Sequence, residues 1–384
     1  MSTQNRLKVL HITPWYPTAE NPVEGTFIRE HIRAAAINHD VVVWAIHIRP
    51  DMRGGAIEVS DSVEDGLRTF RTWQGVGGVL RLRYLSRLRQ QVKFGERLIG
   101  SLGRPDIIHA HILPAAVPAA LLGRKFGIPL IITEQWTGYE RGLLTTLEKL
   151  KARFAFGNAR VVLPVSRYLG EQMMRCGIRA NYKVVPNAVD TTLFYPRSSP
   201  RPVASPLRFL MVAVQRPVKG TPLLLEAANL LKKLGWVFQL DIVGGGPSLH
   251  DYEAMAHGLG LGESVRFTGT LPKPEIAALM RQCDFLVHPS LVETFCAVIA
   301  EALCCGLPVV ASDIQPLPDL VNQSNGILFP SGDISALVDA LKRMAAEHNH
   351  YNSAAISEQA SAKFSLPAVA AQLDEIYRGV AVNA

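Results

Sequence analysis

At 384 residues the chain is long for one core and suits two domains of ordinary size. A hydrophobic share of 48% beside 19% charged residues is that of a soluble globular protein. The net charge of +7 is uneven: residues 1–195 hold 26 Lys and Arg against 16 Asp and Glu, +10, and the remainder 14 against 17, −3, so the basic half can meet a membrane surface, an anionic substrate or nucleic acid.

Arg6 and Lys8 are followed by a short strand-like run with no small-residue cleavage site, which argues against a signal peptide. Leu7 to Ile12 reads as a buried first strand. A loop with Pro14, Trp15, Tyr16, Pro17 and Pro22 leads to Gly25, and Thr26 is a candidate cap for a helix through Phe27, Ile28, His31, Ile32 and Ala35. Strand, loop, glycine and helix start make either a structural turn or an anion-ready place. Val41 to Ile46 is a second β-branched run, and buried strands alternating with helices predict a parallel sheet with crossovers. From Val79 to Arg104 runs a basic helical stretch in which Arg81, Arg83, Arg87, Arg89, Lys93 and Arg97 interleave with Leu80, Leu82, Leu85 and Leu88. It is a solvated helix face or, with Lys149, Lys151 and Arg153, a landing surface for anionic lipid.

Asp106 to Ala110 is a strand with His109 and His111 at its carboxyl end, where ligands of open α/β sheets lie. His111 is a structural strand-end residue or a polar group that reaches a ligand. A His pair without Cys or carboxylate at ligand spacing is a poor metal site. The uncharged run 107–123 holds two His and two Pro, so no transmembrane helix is predicted. The strand Leu130 to Thr133 delivers Glu134, Gln135, Trp136, Thr137, Gly138 and Tyr139, a polar-aromatic loop suited to carbohydrate. Val161 to Val165 ends at Ser166. A Pro/Ser/Arg-rich link, Tyr195 to Pro206, reads as an exposed hinge.

The pattern then restarts. Leu207 to Val214 is a strand whose following loop carries Arg216, Lys219 and Gly220, with Pro222 at a helix start. Phe238 to Val243 ends in Gly244-Gly245-Gly246-Pro247, and Val265 to Thr268, Phe285 to His288 and Val309 to Ala311 continue the strands. One α/β plan is used twice. The tail from Leu366 to Val380 is amphipathic through Val369, Leu373, Ile376 and Tyr377 and is predicted to pack back on the first domain. Five Cys, at 176, 283, 296, 304 and 305, with no CxxC pair, fit a reduced cytosolic protein without structural zinc.

The stretch from Pro289 to Asp313 carries two acids, Glu293 and Glu301. Phe295, Val298, Ile299, Ala302 and Leu303 recur at the spacing of a one-sided buried helix, which Gly306 stops. Both Glu are predicted on the non-core side, about 12 Å apart if the segment is fully helical, a span that fits a long ligand and exceeds that of two carboxylates sharing one bond. The alternative is two solvated Glu flanking a core helix.

Glu293, seven residues, Glu301, between an apolar strand ending in Pro289-Ser290 and a Gly306-Leu307-Pro308-Val309-Val310-Ala311 run, resembles the E-x7-E signature of the family 4 retaining glycosyltransferases. The likeness spans nearly the whole chain: HITPWYPTAENPVEGTF, HAH with Ile128-Pro129, TEQW, VPNAVD, RPVKG, VRFTG and HPS each resemble a family segment. The resemblance implies a GT-B fold, two facing Rossmann-like domains with parallel sheets and a C-terminal helix that crosses back. It implies residues 1–195, with about 366–384, as the acceptor domain and 207–365 as the donor domain. It places Lys219 on the diphosphate, Arg216 and Gly220 in the same loop, Glu301 on the ribose hydroxyls, and Glu293 on the donor sugar with the amides of Thr294, Phe295 and Cys296. It brings His111 to that sugar as well, and gives Gly25, Trp15, Glu134 and Trp136 to the acceptor side.

The sequence departs from the family at Val214, where an Arg or Asn is usual, at Thr294 and Cys296, where glycines are usual, at Ala188, and at Gln315-Pro316-Leu317-Pro318-Asp319. No DxD triplet occurs, so cationic side chains and helix-start amides are expected to hold the diphosphate without metal or cofactor. The expected function is retaining transfer of a hexose from a UDP or GDP sugar to a glycan or lipid-linked acceptor hydroxyl in surface polysaccharide or glycoconjugate synthesis. The expected location is the cytoplasm, peripheral at the inner face of a membrane, with no nucleic-acid partner. The alternatives are a catalytically silent sugar-nucleotide-binding subunit and an epimerase or phosphorylase of the same fold.

Overall fold

A computed structural model describes residues 5–75, 80–198 and 206–382. The chain forms two compact units, Met1–Ala188 with Leu366–Ala384, and Val189–Ser365. The division falls after Ala188 and not at Tyr195. Leu193, Phe194 and Tyr195 already belong to the second unit, because Arg281 donates to the Leu193 carbonyl at 2.8 Å and stacks over Tyr195, and Lys273 sits over the Phe194 ring. Of the predicted hinge, residues 199–205 lie outside the described residues, as does Val79 of the basic stretch.

In the first unit the order is β1 (Lys8–Thr13), α1 (Thr26–Asn38), β2 (Asp40–Arg49), β3 (Ile57–Glu64), β4 (Leu67–Gly75), α2 (Leu80–Leu102), β5 (Ile107–His111), α3 (Ile112–Phe126), β6 (Leu130–Glu134), α4 (Thr146–Gly157), β7 (Val161–Pro164) and α5 (Arg167–Arg175). The sheet order is β3-β4-β2-β1-β5-β6-β7, parallel except for β3. The β3–β4 hairpin is absent from the sequence reading. Its edge strand is largely exposed and lacks an apolar run, but the turn residues Asp65 and Gly66, both at positive φ, are the signal that finds it. Gly25, not Thr26, caps α1: it takes φ 66, and an added Cβ would lie 2.3 Å from the Trp15 carbonyl oxygen.

The second unit runs β8 (Leu207–Val212), α6 (Thr221–Lys233), β9 (Phe238–Val243), α7 (Leu249–Gly258), β10 (Val265–Gly269), α8 (Lys273–Gln282), β11 (Phe285–His288), α9 (Ala297–Cys304), β12 (Val309–Ser312), β13 (Gly326–Phe329), α10 (Ile334–Glu347) and α11 (Ser353–Phe364). Its six parallel strands lie in the order β10-β9-β8-β11-β12-β13. Phe209, Phe238 and Phe285 stack at its centre, and Leu224, Leu231, Leu337 and Leu341 from α6 and α10 cover them.

The closing helix α12 (Leu366–Val382) returns to the first unit as expected. Val369, Leu373, Ile376 and Tyr377, spaced one turn apart, bury against Ala34 and Ala35 of α1 and Val9, Ile107 and Ile131 of the sheet. Each such aliphatic burial stabilises by roughly 1.5–3 kcal/mol. No helix among the described residues is long and apolar enough to cross a membrane.

Candidate functional site

The second unit gathers its chemistry beyond the carboxyl ends of β8, β9 and β11. The loop after β8 turns through a short 3-10 helix, Pro217–Lys219, into Gly220 and α6. Gly220 takes φ 75, and a Cβ there would fall 2.0 Å from the Pro289 carbonyl oxygen, so only glycine lets this loop lie against the end of β11. Gln215, fully buried, braces the loop by donating to the Ala213 carbonyl and accepting from Thr221 Oγ1, both at 2.8 Å. Gly244 and Gly246 close on the same loop, and Gln215 donates its backbone N–H to Gly245.

Lys219 Nζ lies 2.6 Å from Glu293 Oε1, and His288 Nε2 contacts the same oxygen at 2.7 Å. Burial alone would raise the Glu293 carboxyl, but the Lys219 charge and the His288 hydrogen bond outweigh it and hold the group at about 2. For Lys219 burial likewise opposes the charge, and the Glu293 carboxylate raises its pKa. The site is therefore an ion pair with a third group locking its geometry. His288 ends β11 within the HPS run, which the sequence marks only as a family-like segment without a role for the imidazole.

Glu293 lies in a loop, as its sequence context suggests, and the helix starts two residues later than Phe295, the first residue of the apolar stripe. α9 begins only at Ala297, so Glu293, Thr294, Phe295 and Cys296 form the loop that enters it, and all four are buried. The helical spacing assumed between the two Glu does not apply across that loop. Glu301 is buried too, 6% exposed, and pairs with Lys273 Nζ at 3.0 Å. α9 is buried through Ile299, Ala300, Ala302, Leu303 and Cys304, so the one-sided stripe is in fact a nearly all-round core helix. Gly306 at φ 66 ends it, with the Leu307 N–H returning to the Ala302 carbonyl. Thr294 keeps negative φ, and the left-handed position falls on Cys296, at φ 70. Arg216 is exposed at the start of the 3-10 turn.

In the first unit, Glu134 ends β6 fully buried. Its two oxygens accept from the backbone N–H groups of Leu113, Gln135 and Trp136 and from Tyr139 Oη, all between 2.8 and 3.1 Å. Burial raises its carboxyl to about 7 against the pull of these donors. Glu134 thus fastens the loop that carries Trp136 to the start of α3. Trp15 is half-buried, packs edge-on against Phe27 and exchanges hydrogen bonds with Thr13. His111 ends β5 with no exposed surface; its Nε2 lies 3.0 Å from His11 Nδ1, and its Nδ1 has no partner among the described residues.

Among the described residues two groups bring ligand-type atoms within 4.8 Å of one another: His11, His109 and His111, and His288, Glu293 and Cys296. In the first, both ring nitrogens of His109 already meet Tyr377 Oη and Thr133 Oγ1. In the second, the Lys219 ammonium already occupies the cation's place on Glu293.

Residues 197–361 match the family described as glycosyl transferases group 1, and residues 25–188 match the glycosyl transferase 4-like domain. The chain is 31% identical over 253 residues to the GDP-mannose-dependent alpha-(1-6)-phosphatidylinositol monomannoside mannosyltransferase of Mycolicibacterium smegmatis, covering 61% of this chain and 66% of that one. It is 26% identical over 328 residues to glycogen synthase of Mycobacterium tuberculosis (strain H37Rv), covering 80% and 78%. Among solved structures, HepE of Anabaena in complex with UDP and glucose superposes with a TM-score of 0.74 at 19% identity, over 97% of this chain and 99% of that one. Two parallel-sheet units and a paired family match over both of them lead to one conclusion: the chain belongs to the GT-B glycosyltransferases of the family 4 type.

Proposed function

We propose that this glycosyltransferase is a retaining hexosyltransferase that takes a UDP or GDP sugar and glycosylates a glycan or lipid-linked acceptor hydroxyl in surface polysaccharide or glycoconjugate synthesis. The observation that carries this reading is the Lys219–Glu293–His288 trio set against the entry to α9. In the free protein Lys219 is neutralised by Glu293. A diphosphate offers Lys219 a second anion, with the amides of Thr294 to Cys296 and Arg216 as further donors. Glu293, still held by His288, then accepts from hydroxyls of the donor sugar, and Glu301 leaves Lys273 to take the two ribose hydroxyls.

As the C1–O bond to phosphate breaks, the negative charge growing on the diphosphate is met by Lys219 and the amides. The acceptor oxygen bonds C1 on the same face, and its proton passes to the departing phosphate oxygen. His111 is a candidate group for the donor sugar, and Gly25, Trp15 and Trp136, the last on the loop that Glu134 holds, are candidates for the acceptor. No cofactor or metal enters this scheme.

Cys296 marks the entry to α9 as a functional segment, for a binder as for an enzyme. A non-glycine residue held at φ 70 costs about 1–3 kcal/mol, a strain that persists where a function requires the backbone path. GDP-mannose is the named donor of one relative, and UDP is bound in a solved structure of the same fold.

The acceptor side of the reading includes an anionic membrane at the cytoplasmic face. Leu143, Leu147 and Leu150, along and just before α4, are 48%, 59% and 56% exposed, and Leu85 of α2 is 51% exposed. Arg89, Lys93, Arg97 and Arg153 are exposed on the same two helices, and Lys151 of α4 lies 3.4 Å over the Tyr84 ring of α2.

The test is a thermal-shift panel of UDP, GDP, ADP and their sugars, followed by transfer assays on the best binder. Lys219→Ala and Glu293→Ala should each lower transfer at least a hundredfold, about 2.7 kcal/mol, in folded protein. Near-full activity in either variant sinks the assignment, and binding without turnover or donor hydrolysis supports the silent subunit instead.

A further inference from the structure

The loops that follow β8, β9 and β10 are tied in a row at the carboxyl ends of the second unit's strands. Gln215 donates its backbone N–H to the Gly245 carbonyl at 2.9 Å, and Gly245 donates its own to Thr270 Oγ1 at 3.1 Å. Lys219 stands on the β8 side of this row. Lys273, three residues beyond Thr270, opens α8 on the β10 side, at the edge of the sheet. Each lysine meets an acid from the segment between β11 and β12: Lys219 meets Glu293 at 2.6 Å, and Lys273 meets Glu301 at 3.0 Å.

The Lys219 pair has His288 as a third member, but the Lys273 pair does not. Among the described residues Glu301 is the carboxylate within ion-pair distance of Lys273, and the Phe194 ring lies 5.9 Å off, at the outer limit of a cation–π contact. The Lys273 side chain is only 16% exposed. When Glu301 turns to two ribose hydroxyls, that ammonium is left in a largely dry place without its anion, which is unfavourable unless the ligand brings an acceptor of its own.

In a nucleoside diphosphate the ribose stands between the phosphates and the base. On the reading that puts the diphosphate at Lys219 and the ribose on Glu301, the base lies toward the β10 end of the row, where Lys273 stands. An ammonium has three N–H donors and no lone pair. It therefore sorts bases by their acceptors. Uracil and guanine carry ring carbonyl oxygens, whereas adenine carries none and presents an amine in place of one.

We propose that Lys273 is a specificity-determining residue for the donor: released by Glu301, it donates to a ring carbonyl oxygen of the base and selects uracil or guanine nucleotides over adenine nucleotides. This rests on the roles given above to Lys219 and Glu301. The step is an exchange of hydrogen-bond partners and moves no proton.

The test is calorimetric titration of the full chain with UDP, GDP and ADP. Wild type should bind UDP or GDP at least about tenfold more tightly than ADP, the value of one hydrogen bond to a charged group. Lys273→Met should bring that ratio to about twofold or less, whatever its effect on affinity common to all three. Because this change leaves Glu301 buried without a cation, the double variant Lys273→Met with Glu301→Gln, which removes both charges, carries the same comparison if the single variant does not fold. A wild type that binds ADP as tightly as UDP and GDP, or a preference that survives in the folded variant, overturns the proposal. Binding of none of the three by wild type defeats the donor reading beneath it. Weakened binding in Lys219→Ala beside a base preference that Lys273→Met leaves intact defeats the proposal alone, so the two failures are distinct.

Discussion

Glu293 accepts from Lys219 and His288 on a single oxygen, and its acidity records that crowding. Its carboxyl is held at about 2 against an ordinary 4.5, so the pair's stabilisation is fully present above pH 4.5 and is lost as pH falls toward 2. Denaturant titrations should show a Glu293→Gln variant losing its deficit relative to wild type across that window and not near neutrality. The cysteines give a second prediction at this scale. Cys283, Cys296, Cys304 and Cys305 are buried, and burial raises the last three thiols, whereas Cys176 is partly exposed. A chromogenic disulfide reagent should titrate one thiol in native protein and five after unfolding. Lys219 and the two Glu were singled out by the family resemblance, and the fold sets Lys219 on Glu293 and Lys273 on Glu301. His288, Lys273 and Gln215 were not, because a residue's partner across a fold leaves no mark in the local pattern. Glu134 shows the limit from the other side: the sequence placed it in a polar loop, but only the folded chain shows three amides and a phenol closing on it.

Among the elements, the turn at Gly220 is the least tolerant of change. Gly220→Ala places a Cβ 2.0 Å from the Pro289 carbonyl oxygen at a positive φ, which should destabilise by about 3 kcal/mol or more and displace Lys219 from Glu293. The expected readout is a lowered unfolding midpoint with donor affinity reduced in the protein that still folds; wild-type values in both would refute it. The parallel strands were readable because strands buried on both faces are continuous apolar runs, as at Leu207 and Val309. The β3–β4 hairpin escaped because its outer strand is solvated. The stripe was begun two residues before α9 because the apolar loop residue Phe295 continues the helical spacing by chance.

At the scale of the whole molecule, the uneven charge and the exposed leucines of α2 and α4 lie in the first unit. The protein should float with vesicles containing anionic lipid at low salt, and Leu147→Asp with Leu150→Asp should abolish flotation without lowering the unfolding midpoint. Flotation independent of anionic lipid or of salt would contradict the assignment. The division into two α/β plans was legible from the restart of the strand pattern after the Pro-rich link, but the place of Leu193 to Tyr195 was not, since it depends on Arg281 and Lys273. The path of the chain has a consequence for its biogenesis. Val189–Ser365 is contiguous, whereas the first unit needs α12 to cover Val9, Ala34 and Ile107. On the ribosome the unit translated earliest therefore completes its core only once α12 has emerged behind Val189–Ser365.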